Sequence, residues 1–344
     1  MSAIAGWDLG GANLKLALME DARVTRVAQI PCPLVPNRGK FDTALAEALE
    51  LCPDGASHAV TMTGELSDVF GDRAEGVAYL VTMMREALGD APLLIYGGRA
   101  GFLEPDDAIA LPMDVASANW HASATLAAAL CPEGLLVDIG TTTTDLIPLK
   151  GGEPATRGYS DGERLTEGEL LYTGAVRTPV MAVAREATFK GQTQRIAAER
   201  FATMADVFRL LGALPDDADP YPPPDLGGKT TQASAARLAR MLGRDADEAG
   251  LYDWIDVARH FADCQFAEIE AAARALLARE DLEADVPIIG AGCGRFIAKR
   301  LAKQLGLAYG DFAELVDRVP AASEMASRSA PAVSVALLSA RAYP

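Results

Sequence analysis

At 344 residues and 36.2 kDa the chain has room for two domains, three at most; half of its residues are hydrophobic and 23% charged, which excludes a fibrous, disordered or small disulfide-stapled fold. Lys and Arg number 31 against 48 Asp and Glu, a formal charge of −17, and so acidic a field repels phosphate backbones and excludes nucleic acid as a partner. Residues 1–125 carry −9 and the remainder −8, so the charge reads as a solubilising surface rather than an acidic tail, and an anionic ligand needs a site that reverses it locally.

Alternation predicts strands at 3–8 and 14–19, joined by the turn Leu9-Gly10-Gly11-Ala12-Asn13. A third strand follows at 22–30, then a helix at 41–51, a strand at 58–63, a helix at 73–88, a strand at 92–96 ending in Tyr96-Gly97-Gly98-Arg99, and a helix at 117–130. The pattern then restarts. Strands at 135–140 and 145–149 flank Thr141–Thr144, and Asp138-Ile139-Gly140 repeats Asp8-Leu9-Gly10 at a distance of 130 residues, which points to a duplicated domain.

The texture changes over 180–285, where Ala-rich segments predict helices at 181–187, 196–211, 231–243 and 251–280. Residues 215–228, Pro- and Asp-rich, cannot be helical and read as an extended surface loop or a mere connector. An α/β pattern returns with a strand at 286–289, the turn Gly290-Ala291-Gly292-Cys293-Gly294, a helix at 295–305, a strand at 307–310 and a last helix at 330–341. The resulting domains are 1–131 and 132–344, the second carrying the helical insert and a final helix that can return to the first.

No run of 18 apolar residues occurs and Asp8 interrupts the only leader-like segment, so no membrane association and a cytoplasmic location are expected. Five isolated cysteines, lacking C-x-x-C spacing, indicate neither a disulfide framework nor a zinc site. His58, His121 and His260 sit in unrelated contexts and read as structural or surface residues.

The two D-x-G turns hold the ingredients of phosphate chemistry. Gly10, Gly11 and Gly140 let backbone N–H groups approach a phosphate, Asn13 and Thr141, Thr142 and Thr143 add small polar groups, and Asp8 and Asp138 at strand ends can hold a hydrated Mg²⁺. Lys15 adds a point charge. Facing each other across a cleft, the two aspartates would share one metal; the plain alternative is two ordinary Asp-Gly turns. Gly290, Gly292 and Gly294 read either as a nucleotide- or polyphosphate-binding turn at a helix N-terminus or as tight strand-to-helix packing, and Arg295 departs from a dinucleotide fingerprint. Glu65 after the 58–63 strand, Arg99, and Asn119-Trp120 at a helix start are further candidates. Arg157, Arg164 and Arg177 either bind an anion or pair with Asp161, Glu163 and Glu169. There is no G-x-x-x-x-G-K-[ST] loop and no G-x-S-x-G elbow.

Asp8-Leu-Gly-Gly-Ala-Asn-Leu-Lys15, Asp138-Ile-Gly-Thr-Thr-Thr-Thr-Asp145 and Gly290-Ala-Gly-Cys-Gly294 resemble the first phosphate, second phosphate and adenosine motifs of the actin, sugar kinase and Hsp70 superfamily. Thr61-Met-Thr-Gly-Glu-Leu66, Asn119-Trp120 and residues 138–148 resemble its hydantoinase A and oxoprolinase branch, in particular the subgroup associated with tetrahydromethanopterin-linked one-carbon metabolism and archaeal methanofuran biosynthesis. The resemblance implies an α/β fold of two RNase H-like, actin-like ATPase halves around a cleft, with a helical insert in the second. It also implies an alkyl transferase that joins an aminomethylfuran-methyl diphosphate to a tyramine- or tyrosine-type phenol, makes an ether and releases pyrophosphate.

On that reading Asp8 and Asp138 bind Mg²⁺, Lys15 and the Thr141–Thr144 turn meet the leaving diphosphate, Glu65 or Asp145 takes the phenol proton, and Arg99, Asn119, Trp120 and Arg177 meet substrate. A small-molecule diphosphate and a phenolic acceptor are the expected partners, with a homodimer left open. ATP also stays open as a ligand, and with it a kinase or an oxoprolinase-type hydrolase, although Ala12-Asn13 stands where sugar kinases often have Gly-Thr.

Overall fold

Six consecutive buried residues make β1 (Ile4–Leu9) a strand with both faces covered, as the centre of an α/β sheet requires. In the computed structural model, which describes residues 3–32, 39–279, 282 and 285–342, β1 is flanked by β2 (Asn13–Glu20) and then β3 (Arg23–Pro31) on one side. On its other side lie β4 (Ser57–Met62), β5 (Leu93–Tyr96) and the short β6 (Phe102–Leu103). β1–β2–β3 is an antiparallel meander, whereas β4 runs parallel to β1 and β5 parallel to β4. The C-terminal ends of β1, β4 and β5 therefore share one edge, where parallel sheets place ligands.

A second sheet begins with β7 (Gly134–Ile139) and β8 (Thr144–Lys150), extended at the far end of β8 by β9 (Glu153–Pro154). β10 (Leu170–Leu171) follows, then the separate hairpin of β11 (Glu186–Phe189) and β12 (Gln192–Arg195), and finally β13 (Ile288–Ala291) and β14 (Tyr309–Asp311). Its order, β10-β8-β7-β13-β14, is third-second-first-fourth-fifth in chain succession, the order of the first five strands of the first sheet. The duplication inferred from two D-x-G turns is thus a duplication of topology.

The chain forms two compact units: Met1–Gly134 with Leu149–Ala155 and Gly310–Pro344, and Leu135–Pro148 with Thr156–Tyr309. Residues 310–344, placed by sequence in the second half, belong with the first. The reason is packing: helix Ala330–Ser339 lies on β1, β2, β4 and helix Asn119–Leu130, and it is apolar all round, as a helix enclosed by a sheet and a second helix must be.

The insert needs corrections. Only Val180–Val183 of the expected 181–187 helix forms, because Lys190 and Gly191 both take positive φ, 48° and 79°, and close the two-residue β11–β12 hairpin. The 196–211 helix is shortened to Met204–Leu210 by a Thr203–Asp206 capping box. Helix Leu251–Leu277 is the long one expected, and position 280 of that expectation lies outside the described residues. The insert shares its core with the sheet: Val137, Leu146 and Ile288 join Phe208, Leu238, Trp254 and Phe261 in one buried cluster. The 215–228 loop is more than a connector, since Asp219 meets Arg209 at 2.6 Å and Asp225 meets the buried Arg237 at 3.1 Å. Among the described residues no helix is long and apolar enough to cross a membrane.

Candidate active site

Register places Lys15, Asp8 and Thr61 in one row across β2, β1 and β4. Directly opposed residues of neighbouring strands point to the same face, and Lys15 Nζ reaches Asp8 Oδ2 at 3.1 Å. Asp8 is 2% exposed and Thr61 fully buried, yet Asp8 Oδ1, Thr61 Oγ1 and the adjoining Asn13 Oδ1 have no hydrogen-bond partner. Leaving a buried polar atom unpaired costs about 1–3 kcal/mol, more for a charged group, so three at one strand end call for a ligand, ion or water. The turn between these strands closes by Gly10 N–H donating to Asn13 O, while the space over the Gly11 α-carbon is open.

Thr63 N–H donates to Leu9 O and carries the β1–β4 alignment one residue further, delivering the single turn Gly64–Leu66 to the same edge. There Glu65, 2% exposed, accepts at Oε1 from Ser117 N–H (2.8 Å) and Ser117 Oγ–H (3.3 Å), and its Oε2 is buried without a partner. Burial pushes the Glu65 carboxyl up to about 7 despite those hydrogen bonds and the nearby Arg73. Ser117 sits at φ 55°, a strained backbone for a residue with a Cβ, and that strain aims both of its donors at the carboxylate. Arg99 is exposed just past β5, and Asn119 is half-buried at the start of its helix. Trp120, expected to meet substrate, is buried, with its ring edge-on to His121.

In the second unit Asp138 is the penultimate residue of β7 and Gly140–Thr143 is the turn, closed by Gly140 N–H donating to Thr143 O. Two of the turn's carbonyls are tied down from behind: Ala175 N–H donates to Gly140 O at 3.0 Å, and Val176 and Arg177 N–H donate to Thr141 O at 3.2 and 2.7 Å. Among the described residues no acceptor meets the N–H groups of Thr141, Thr142 or Thr143, so carbonyls bound on one side leave N–H groups for the other, the polarity of an anion-binding turn. The Arg177 side chain is exposed beside it.

Glycine spacing in 290–294 has a packing cause in part. Gly290 lies inside β13 rather than in the turn, and a Cβ there would run into the Tyr309 ring. At Gly292 (φ 80°) a Cβ would lie 2.5 Å from Asp138 Oδ1, and Gly294 abuts Ile139 and Ala175. The turn is therefore moulded onto the end of β7. Asp145 binds the buried Arg164 at 2.6 Å; burial pushes its carboxyl up and the guanidinium pulls it back, which makes it the partner of a structural cation. Arg164 thus pairs with Asp145, and Glu169 takes Arg279 at 2.7 Å and Arg157 N–H at 2.8 Å. Ser117 and Gly76, whose α-carbon backs onto Glu65, were not legible as site residues, although a glycine inside a predicted helix is a signal of close approach.

Among the described residues no three His, Cys, Asp or Glu side chains cluster as a metal site. A hard divalent cation taken up with substrate phosphates needs only one or two carboxylates, its other positions being phosphate and water oxygens. The unpartnered Oδ1 of Asp8 fits that role.

The hydantoinase/oxoprolinase family model matches residues 57–341. The chain is 30% identical over 291 residues, 84% of its length and 86% of the relative's, to (4-{4-[2-(gamma-L-glutamylamino)ethyl]phenoxymethyl}furan-2-yl)methanamine synthase of Methanocaldococcus jannaschii. It is 32% identical over 124 residues, 36% of its length and 55% of the relative's, to the synthase of the same name from Methanococcus vannielii. A nucleotide-free acetone carboxylase structure superposes with a TM-score of 0.61 at 11% identity, covering 97% of this chain and 70% of the other, which shows a shared fold. With two copies of one strand order and a family match across most of its length, the chain belongs to the hydantoinase/oxoprolinase family and has the two-unit α/β fold of actin-like ATPases.

Proposed function

We propose that this chain is an aryl-ether-forming alkyl transferase, condensing an aminomethylfuran-methyl diphosphate with a tyramine- or tyrosine-type phenol in methanofuran-type cofactor biosynthesis. The observation that carries the reading is the 30% identity over 84% of the chain to the M. jannaschii synthase, whose named product contains a phenoxymethyl-furan ether. In the reaction the furfuryl methylene–oxygen bond to diphosphate breaks, the phenol oxygen bonds to that carbon, and pyrophosphate and one proton leave.

Residues at two strand ends support the chemistry. Bound Mg²⁺ would neutralise charge growing on the leaving diphosphate; Asp8 is the carboxylate of the first unit able to hold it, and Asp138 is a candidate of the same kind considered within the second unit alone. Lys15 orients Asp8 and lends positive charge in an otherwise anionic protein. The Thr141–Thr143 N–H groups and the Arg177 side chain favour an anion at their turn. Glu65 is the proposed base: one oxygen is fixed by Ser117, the other is free to accept, and an affinity near neutrality suits proton uptake from a phenol.

The test is incubation with the furan diphosphate, Mg²⁺ and tyramine or tyrosine acceptors. Pyrophosphate release matched by ether formation is expected. No product at any Mg²⁺ concentration, or ADP formation stimulated by a hydantoin or sugar instead, overturns the reading.

A further inference from the structure

We propose that Gln265, on helix Leu251–Leu277 of the insert, is a positioning residue that sets the donor geometry of the Thr141–Thr143 turn through residues 173–178. The proposal rests on the reading that this turn receives the diphosphate. Gln265 is fully buried, and its Nε2 donates to Thr173 Oγ1 at 2.8 Å and to Gly174 O at 2.9 Å. A carbonyl only accepts, so the contact with Gly174 fixes which end of the amide faces the segment.

From there several bonds lead to the turn. Thr173 O accepts from Thr144 Oγ–H at 2.6 Å, which pins the first residue of β8, directly after the turn. Gly174 N–H donates to Thr178 Oγ1 at 2.8 Å, and a Cβ at Gly174 would lie 2.6 Å from Thr142 N, so segment and turn are in direct backbone contact. The next three N–H groups, those of Ala175, Val176 and Arg177, take the carbonyls of Gly140 and Thr141. Each carbonyl held this way fixes a peptide plane, so the N–H groups of Thr141 and Thr142, at the other ends of the two planes, must point away from the segment. Gln265 is the side chain that pins Gly174, and hence this ladder, from the insert. Its Oε1 is buried and unpartnered, so the amide is held by its donors alone.

The test uses the full chain with Gln265→Met, which keeps length and apolar bulk but removes both donors, and Thr173→Val, which removes one acceptor and leaves Gln265 in place; Thr173→Ser is the conservative control. In Gln265→Met the KM for the diphosphate should rise about tenfold while the KM for the phenol stays within twofold, and amide exchange at Ala175, Val176 and Arg177 should quicken. Thr173→Val should show a smaller version and Thr173→Ser near wild-type values. Unchanged diphosphate KM with unchanged exchange in both variants overturns the proposal, as does an equal loss in both KM values with a lowered Tm. In the wild type, Mg-pyrophosphate should slow exchange at Thr141–Thr143. Absence of that protection overturns the reading of the turn and the proposal with it, whereas its presence with no effect of Gln265→Met overturns the proposal alone.

Discussion

Lys15 Nζ lies 3.1 Å from one oxygen of Asp8, while the other oxygen of the same carboxylate is buried with no partner. A purely structural Asp–Lys pair would spend both oxygens on protein donors. Half of this carboxylate is instead held ready, in a row with the equally unpartnered Thr61 hydroxyl. Asp8→Asn should therefore lower kcat by roughly 100-fold or more, the order seen when a charge-stabilising group is removed from a reaction centre. Melting temperature without ligand should move by only a few degrees, because Lys15 reaches solvent. The rise in Tm that Mg-pyrophosphate gives the wild type should vanish in the variant. A large fall in Tm with full activity per folded molecule would instead make Asp8 structural.

Glu65 makes a prediction in pH that needs no substrate. Its carboxyl is raised from 4.5 to about 7 in the fold, so the folded state holds a proton that the unfolded chain has already released. Stability from this group is complete below pH 4.5 and is lost as pH rises through 7, a difference of roughly 3 kcal/mol. Glu65→Gln removes that slope. Unfolding free energies at pH 5 and 8 should show the variant gaining on the wild type by about this amount at the higher pH. His58, lowered to about 4 by burial, contributes the opposite slope at lower pH in both proteins and cancels from the comparison. If Glu65 is also the base, wild-type kcat/KM rises with pH through about 7, and that limb is absent in Glu65→Gln.

How much of this was readable from sequence depended on whether the cause was local. Both D-x-G hairpins, the parallel strands after them and the helix Arg295–Leu305 follow from alternation, glycine turns and periodicity, all local signals. The β11–β12 hairpin is hidden in the sequence because Ala-rich flanks outweigh a two-residue Lys-Gly turn. Gly290 reads as part of the turn because nothing near it in sequence announces the Tyr309 ring it accommodates. Ser117 acts on Glu65 from 52 residues away and Gln265 on Thr173 from 92, and no sequence window of helix or strand length contains such pairs.

The Asp145–Arg164 pair separates a structural carboxylate from a reacting one. Arg164 is 1% exposed and its guanidinium is held by Asp145 and by Glu169 O. Asp145→Asn leaves that cation buried without the carboxylate charge at 2.6 Å, a loss of about 3 kcal/mol or more. Thermal melts should show a fall of several degrees or more, while kcat at a temperature where the variant is folded stays within a few-fold of wild type. A loss of kcat as deep as in Glu65→Gln would return Asp145 to the list of bases.

Gly292 tests whether the glycine turn serves the strand end it packs on. Its φ of 80° strains any residue with a side chain, and a Cβ would run into the Ile139 carbonyl and lie 2.5 Å from Asp138 Oδ1, so Gly292→Ala presses on the end of β7 and on the Asp138 carboxylate there. Overpacking and strain together should cost about 1–3 kcal/mol, measured by denaturant unfolding. Gly306→Ala is the control, because Gly306 has a similar φ of 72° but open space over its α-carbon. Both variants should lose stability through φ, but only Gly292→Ala should also raise the Mg²⁺ concentration needed for half-maximal rate, by several-fold, because only there does the new methyl displace Asp138. Equal Mg²⁺ dependence in the two variants would confine Gly292 to packing and remove Asp138 from the metal's surroundings.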